Sequence, residues 1–205
     1  MTVRTNPAAL LIVDPQRDFC SPDGTYARHG IDISPMQRLL PHLAELMHAC
    51  QQAGVSVIAT QFTIVTDRKG VPLVGERLLA ARPFLRKEGF RPGTSGHGVV
   101  ESLPVPDFLI EKPTFSAFYA TRLDFLLTRL YVTRLLICGV GSNGAVETTL
   151  RDAQLRDYDI ILVTDCTSGF RADLHELSMK SMATLARLLD SKAVIASLQR
   201  GEPDS

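Results

Sequence analysis

The stretch RLLICGVGSNGAVETTLRDA, residues 134–153, leads from a short apolar run through a glycine-containing turn into a helical pattern. The apolar run does not alternate polar and apolar residues, which is typical of a strand buried on both faces of a parallel sheet. The turn that follows would open the helix at the carboxyl end of this strand. Ligands of open α/β sheets bind at that edge. The stretch therefore predicts a buried strand, a helix and a functional site where they meet.

Five more apolar runs have the same character and alternate with helical patterns. The predicted strands span residues 8–14, 55–62, 107–112, 134–140, 159–165 and 192–198. The predicted helices span residues 34–54, 121–130, 143–157 and 171–190. This alternation predicts an α/β fold, a three-layer sandwich with a central, mostly parallel, Rossmann-like sheet and helices on both faces.

The length predicts a single domain that spans residues 1–205. Residues 63–106 read as an irregular insertion with one short helix in VGERLLAAR, residues 74–82. Such an insertion in a compact domain is often a lid or an interface segment, and a mobile surface loop is the alternative. Residues 199–205 form a polar tail.

Composition narrows the classes of partner. The chain has 22 Lys and Arg residues and 22 Asp and Glu residues, so nothing indicates a nucleic acid or an anionic membrane as partner.

No segment is long and apolar enough to span a bilayer. The N-terminal apolar stretch ends at Asp14, which indicates a strand rather than a signal peptide. The four cysteines lack metal-ligand spacing, so we expect reduced thiols in a cytoplasmic protein.

Three polar features follow predicted strands. Asp14 ends the first strand, Lys112 ends the third, and residues 142–145 follow the fourth. Each alone has an ordinary explanation: a helix cap, a solvated lysine and a tight turn. Together they fall at the carboxyl edge of one parallel sheet, where residues far apart in sequence converge.

These segments resemble the isochorismatase-like cysteine hydrolases, which include nicotinamidases, N-carbamoylsarcosine amidohydrolases, and ureide and biuret hydrolases. LLIVDPQRDF (10–19) looks like the family's Asp segment, and EKPTFSAFYATRLDFLL (111–127) looks like its Lys segment. GVGSNGAVETTLRDA (139–153) looks like its nucleophile segment, and VTDCTSGF (163–170) looks like a later Asp-containing segment. One departure bears on the chemistry, because Ala145 stands where the family has the nucleophilic Cys of a Cys-Asp-Lys triad.

The resemblance implies a role for each part. The Cys thiolate attacks an amide or ureide carbonyl, and Asp14 is the base that takes the thiol proton and returns it to the departing amine. Lys112 holds Asp14 in place. The backbone N–H groups of Gly141 and Ala145 would form the oxyanion hole. The family also implies a cis peptide bond between Val140 and Gly141.

Three interpretations of Ala145 are open. The first is an engineered Cys-to-Ala variant that binds substrate without turnover. The second is a vinyl-ether hydrolase of the isochorismatase type, in which Asp14 protonates the substrate and no nucleophile is needed. The third is a substrate-binding pseudoenzyme. The sequence SNGAVETT follows the Cys-containing branch of the family, which favours the first.

Substrate contacts and cofactors are also predicted. The candidate cavity walls and hydrogen-bonding residues are Phe19, Gln61, Phe62, Phe115, Tyr119 and Asn143. Metal-dependent nicotinamidases carry an Asp-x-His arrangement after the second strand, where this chain has Gln61 and Thr63. We therefore expect no metal and no other cofactor. The resemblance implies a homodimer or a homotetramer.

Overall fold

The computed structural model describes residues 7–201 and contains one sheet of six parallel strands. The strands are β1 (Ala8–Val13), β2 (Ser56–Phe62), β3 (Phe108–Lys112), β4 (Arg134–Val140), β5 (Asp159–Ser168) and β6 (Arg187–Leu189). Their order across the sheet is β3-β2-β1-β4-β5-β6. Strands β2 and β3 are added on one side of β1 and strands β4 to β6 on the other. The carboxyl ends of β1 and β4 therefore flank the switch point where such sheets bind ligands.

Helices connect the strands. They are α1 (Arg17–Cys20), α2 (Thr25–Arg28), α3 (Ser34–Gln52), α4 (Glu76–Ala81), α5 (Leu123–Arg129), α6 (Glu147–Gln154), α7 (Ala172–Met182) and α8 (Ser191–Arg200). Short 3₁₀ turns lie at Pro83–Arg86 and Ser95–His97, and a π turn lies at Ser142–Val146. None of the helices within residues 7–201 is both long and apolar enough to cross a membrane.

Two apolar layers cover the sheet, one on each face. Leu10 and Ile12 of β1 face a cluster that includes buried residues of α3 and α8. Ala9 and Leu11 face a cluster that includes buried residues of α5, α6 and α7. Successive side chains of a strand point to opposite faces, so β1 is buried throughout. The predicted α/β fold with helices on both faces is confirmed.

The predicted sixth strand is wrong. Residues 192–198 belong to α8, and the sixth strand is Arg187–Leu189, which sequence reasoning had placed at the end of a long helix. The Asp190 side chain accepts the Ala193 N–H at 2.7 Å, and this N-cap starts a helix directly after β6. Short apolar runs of this kind fit a strand or a buried helix equally well.

The insertion, residues 63–106, is packed against the body of the protein. Leu79, Leu85 and Phe90 are buried in the same apolar cluster as β1 and α3. The buried Asp18 carboxylate accepts the Phe90 N–H at 2.7 Å and the Thr25 N–H at 3.0 Å. These contacts hold the insertion in place, and the insertion forms one wall of a cavity at the carboxyl edge of the sheet.

Candidate active site

A cavity of about 380 Å³ opens at the carboxyl edge of the sheet, where β1, β2, β3 and β4 end. Its lining includes Asp14 after β1, Lys112 at the end of β3, and Ala145 in the turn after β4. The sheet therefore brings together the three features that the sequence predicted to converge. The volume is at the lower end of the range for small-molecule sites.

Asp14 and Lys112 form a buried ion pair. Lys112 Nζ lies 2.7 Å from Asp14 Oδ2, and the lysine and aspartate side chains are 1% and 3% exposed. Thr60 Oγ1 donates to Asp14 Oδ1 at 2.7 Å, and Lys112 Nζ donates to the Thr114 carbonyl at 2.8 Å. Charges removed from water are tolerated only when they are paired and hydrogen-bonded. These partners fix the carboxylate and the ammonium group in one geometry.

The sheet explains why a lysine is needed to reach Asp14. Lys112 is in register with Phe62 of β2, and β2 lies between β3 and β1. Two strand spacings are about 10 Å, a gap that the lysine and aspartate side chains bridge together through their 2.7 Å contact. Nζ lies 5.6 Å from the centroid of the Phe62 ring that it crosses. A shorter basic side chain at the end of β3 would not meet the carboxylate.

Asp14 leaves β1 in an unusual backbone conformation. Its φ is +53°, in the left-handed region that few residues other than glycine adopt, and its N–H donates to Thr60 Oγ1 at 3.1 Å. Backbone strain of this kind is concentrated at functional sites, where the surrounding structure enforces it. Thr60 thus binds both the backbone and the carboxylate of Asp14.

Ala145 lies in the π turn Ser142–Val146, between β4 and α6. The Gly141 carbonyl accepts the N–H groups of Gly144 at 3.1 Å and Val146 at 3.3 Å. Single π turns often occur at functional sites. Ala145 is 7% exposed, and its methyl group belongs to the wall that Asp14 also lines.

The expected cis peptide between Val140 and Gly141 is wrong, because no peptide bond within residues 7–201 is cis. Gly141 is extended, with φ −79° and ψ 125°, and the π turn begins after it. The chain reverses through this turn with ordinary trans geometry, which avoids the cost of a cis bond.

Side-chain hydrogen bonds hold the π turn in place. Glu147 accepts hydrogen bonds from Ser178 at 2.6 Å and Ser181 at 3.0 Å, which tie the start of α6 to α7. Thr149 Oγ1 accepts the Ala117 N–H at 3.0 Å, which ties α6 to the segment that follows Lys112. The two segments that carry Lys112 and Ala145 are therefore joined directly.

The structure places four of the six predicted wall residues in the cavity lining: Phe19, Phe62, Phe115 and Asn143. Gln61 is not in the lining, because it alternates with Phe62 on β2, and its Nε2 donates to the His97 carbonyl at 2.8 Å. Tyr119 is not in the lining either and is 66% exposed, whereas its neighbour Phe118 is buried. His97 of the insertion is buried and hydrogen-bonds Thr63 Oγ1 at 2.8 Å through Nε2.

Comparison with known proteins agrees with this architecture. The sequence pattern of the isochorismatase domain matches residues 8–193. The chain belongs to the isochorismatase family.

Relatives within and around this family are similar over most of their length. Ureidoacrylate amidohydrolase RutB of Azorhizobium caulinodans is 29% identical over 180 residues, which cover 82% of this chain and 78% of that protein. An isochorismatase family protein from Desulfovibrio vulgaris has a crystal structure that matches with a TM-score of 0.78 at 27% identity, covering 96% of this chain and 100% of that chain. A cysteine hydrolase from Pseudomonas syringae shares the fold, with a TM-score of 0.83 at 24% identity over 98% of each chain.

Sequence reasoning missed several lining residues of this isochorismatase-family cavity. They are Tyr26, Leu78, Ala81, Arg82, Val140, Gly144, Thr148 and Phe170. Phe170 ends the VTDCTSGF segment and would contact a Cβ at Gly141 at 3.3 Å, so its motif was a usable signal. Leu78, Ala81 and Arg82 come from the insertion, whose packing against the cavity no local pattern reveals.

No native thiol can take over the nucleophile position. All four cysteines are buried and free. Burial raises the pKa of Cys50 to about 12, and burial together with the Asp14 charge raises the pKa of Cys20 to about 12. The pKa values of Cys138 and Cys166 are raised as well, mainly by burial. Since the thiolate is the reactive form, these thiols are inert at neutral pH.

Residues 7–201 contain no group of three or more His, Cys, Asp or Glu side chains arranged to hold a metal ion. The expectation of a metal-free site stays a prediction.

Proposed function

We propose that the cavity binds a small amide, ureide or carbamoyl compound, and that it is a cysteine amidohydrolase site whose nucleophile is replaced by Ala145. The observation that carries this proposal is the buried Asp14–Lys112 pair in a cavity that Ala145 also lines. A binding pocket alone has no need of a buried carboxylate and ammonium group beside the start of a helix. The chain as it stands binds substrate and has no covalent route to turnover.

With a thiol at position 145, each step has a residue to carry it. Asp14 takes the thiol proton, and sulfur attacks the carbonyl carbon to form a tetrahedral oxyanion. The backbone N–H groups of Gly141 and the residue at position 145 stabilise that oxyanion. Asp14 then returns the proton to the amine as the C–N bond breaks, which leaves a thioester that water hydrolyses.

Lys112 and Asn143 have supporting roles in this proposal. Lys112 holds Asp14 through the 2.7 Å contact, which keeps the carboxylate aimed into the cavity. Asn143 lines the cavity and supplies an amide group that can hydrogen-bond the substrate. The amidohydrolase relatives support C–N hydrolysis as the reaction class.

Restoring the thiol tests the proposal. The Ala145→Cys variant should release ammonia from members of a panel of small amides, ureides and carbamoyl compounds, whereas the unmodified chain should release none. Asp14→Asn in the Ala145→Cys background should abolish the gain, because the base is lost. Ala193→Cys, which adds a thiol at an exposed position of α8, is the matched control and should stay inactive.

The methyl side chain of Ala145 favours a second candidate function. With Asp14 in the cavity and no nucleophile beside it, a vinyl ether could be protonated by Asp14 and cleaved by water. The unmodified chain would then hydrolyse isochorismate to release pyruvate, and Asp14→Asn would stop it. Pyruvate release by the unmodified chain would replace the amidohydrolase proposal with this one. Binding without turnover, unchanged by Ala145→Cys, would indicate a substrate-binding pseudoenzyme.

A further inference from the structure

Arg82 is the only charged residue that the insertion contributes to the cavity lining. It follows α4 as its C-cap and lines the cavity together with Leu78 and Ala81. The other charged lining residues are Asp14 and Lys112, which pair with each other at 2.7 Å. Arg82 therefore leaves the cavity wall with one excess positive charge.

The Arg82 guanidinium has a hydrogen-bond donor, Nε, that the protein does not use. Nη1 donates to the Ala81 carbonyl at 2.9 Å. Nε is buried, and within residues 7–201 it is the single buried side-chain nitrogen or oxygen that lacks a hydrogen-bond partner. No carboxylate of the described residues lies within ion-pair distance of Arg82. A buried donor without a partner is costly, so a ligand that supplies the acceptor would bind favourably.

The surroundings of Arg82 cannot neutralise its charge. Its Cζ lies 5.7 Å from the centroid of the Tyr26 ring, and Tyr26 packs against Phe170 at 4.8 Å. Burial raises the pKa of the Tyr26 phenol, although the Arg82 charge and a hydrogen bond with the Arg82 side chain act in the opposite direction, so the phenol is neutral at physiological pH. Aromatic rings beside a cation lower the local dielectric and strengthen its attraction for an anion.

The edge of the guanidinium that carries the unused Nε donor matches the shape of a carboxylate. Nε and Nη2 share one edge of the planar guanidinium, and Nη1 is the nitrogen that already has its carbonyl partner. A carboxylate can accept two parallel hydrogen bonds along such an edge. A lysine at this position would offer only a point charge.

We propose that Arg82 binds a carboxylate of the substrate along this edge, so that the cavity selects small amide or ureide acids over their neutral analogues. The inference rests on the proposed function, since it identifies the far end of the substrate whose C–N bond is placed at Asp14 and position 145. Arg82 is then a specificity-determining residue supplied by the insertion.

Equilibrium binding to the unmodified chain tests this, because Ala145 prevents turnover. The probes are two matched pairs, 3-ureidopropionate with 3-ureidopropionamide and succinamate with succinamide, titrated calorimetrically. An acid of either pair should bind about tenfold or more tightly than its amide, as expected for a charge-assisted contact. Arg82→Gln should remove that preference and leave amide affinity within about twofold, since it removes only the carboxylate partner.

Arg86→Gln is the matched control, because Arg86 lies four residues on in the same segment, pairs with Glu76 and does not line the cavity. It makes the same change in net charge and should leave the preference intact. Equal weakening of acid and amide by Arg82→Gln would assign Arg82 a structural role and overturn the proposal. So would equal affinity of the unmodified chain for acids and amides.

The same substitutions in the Ala145→Cys background separate this proposal from the proposed function. Hydrolysis of acids and amides without preference would support the amidohydrolase and overturn the role of Arg82. Binding of acids that depends on Arg82, without hydrolysis of either form, would support the carboxylate site and overturn the amidohydrolase. Hydrolysis with a KM for acids that Arg82→Gln raises, and a KM for amides that it leaves unchanged, supports both.

Discussion

At the scale of single residues, Gly139 controls the position of Asp14. It pairs in register with Val13, the residue before Asp14, and has a φ of +123°. A Cβ at Gly139 would lie 2.2 Å from the Val13 carbonyl oxygen, so the end of β1 would have to move. The glycine is therefore part of what aims the carboxylate.

We predict that Gly139→Ala lowers the free energy of unfolding by about 3 kcal/mol or more, since it combines a disfavoured φ with a backbone clash. Gly54→Ala is the control, because Gly54 also has a positive φ, +71°, but a Cβ there meets no atom within 4 Å. That change should cost about 1–2 kcal/mol from the left-handed conformation alone. Urea denaturation of both variants measures the difference, and equal costs would contradict the close approach.

The sequence predicted the chemistry-bearing residues better than the cavity walls. Asp14 and Lys112 lie at strand ends and Ala145 lies in the turn that follows β4, where parallel topology dictates convergence. Gln61 was misjudged because alternation along β2 turns it away from the cavity, a register that sequence alone does not supply. Arg82 was missed because its place depends on tertiary packing of the insertion.

At the scale of elements, the junction between α6 and α7 holds the π turn. Glu147 begins α6, and its carboxylate accepts hydrogen bonds from Ser178, Ser181 and Arg151. Burial raises the pKa of Glu147, but these hydrogen bonds outweigh it and hold the pKa below the ordinary value of 4.5. A lowered folded-state pKa means that the folded protein binds fewer protons here than the unfolded chain does.

The hydrogen bonds of Glu147 between α6 and α7 should therefore make a pH-dependent contribution to the free energy of unfolding. The contribution is fully present above the unfolded-state pKa of about 4.5 and is lost as the pH falls through the lower folded-state value. The difference in unfolding free energy between the unmodified chain and Glu147→Gln should be constant from pH 7 to 5.5 and shrink below pH 4.5, as denaturant titrations would show. Ser178→Ala should reduce the same pH-dependent part, and a difference that does not change with pH would refute the assignment.

The choice between helix and strand was wrong where an apolar run was too short to show the periodicity of either. Residues 192–198 have the composition of a buried strand, yet Asp190 caps a helix there and the strand is the shorter Arg187–Leu189. Segments that are longer or bounded by clear turn residues, such as α3 and β4, matched their predictions within a few residues. The cap at Asp190 and the pairing of β6 with β5 decided which residues form the helix and which the strand. A short stretch of sequence does not show strand pairing.

At the scale of the whole molecule, the cavity is lined by residues at strand ends, by the short helices α1 and α2, and by the insertion. The sheet fixes the Asp14–Lys112 pair and the turn with Ala145, and the insertion adds Arg82. The order of segments along the chain carried the family resemblance, which is why the fold could be predicted from sequence. The cavity wall that the insertion supplies could not be predicted, because its residues follow no periodic pattern.

The central claim is that position 145 is the nucleophile position of an otherwise assembled site. The most direct measurement is the rate at which iodoacetamide alkylates the Ala145→Cys variant at pH 7, followed by intact-protein mass spectrometry. This test needs no knowledge of the substrate. The account predicts a single alkylation that is faster than that of free cysteine, because Lys112 and the start of a helix favour the thiolate and Asp14 can take the thiol proton. It predicts no alkylation of the unmodified chain, whose four thiols are buried. A thiol at position 145 that reacts no faster than free cysteine would contradict it.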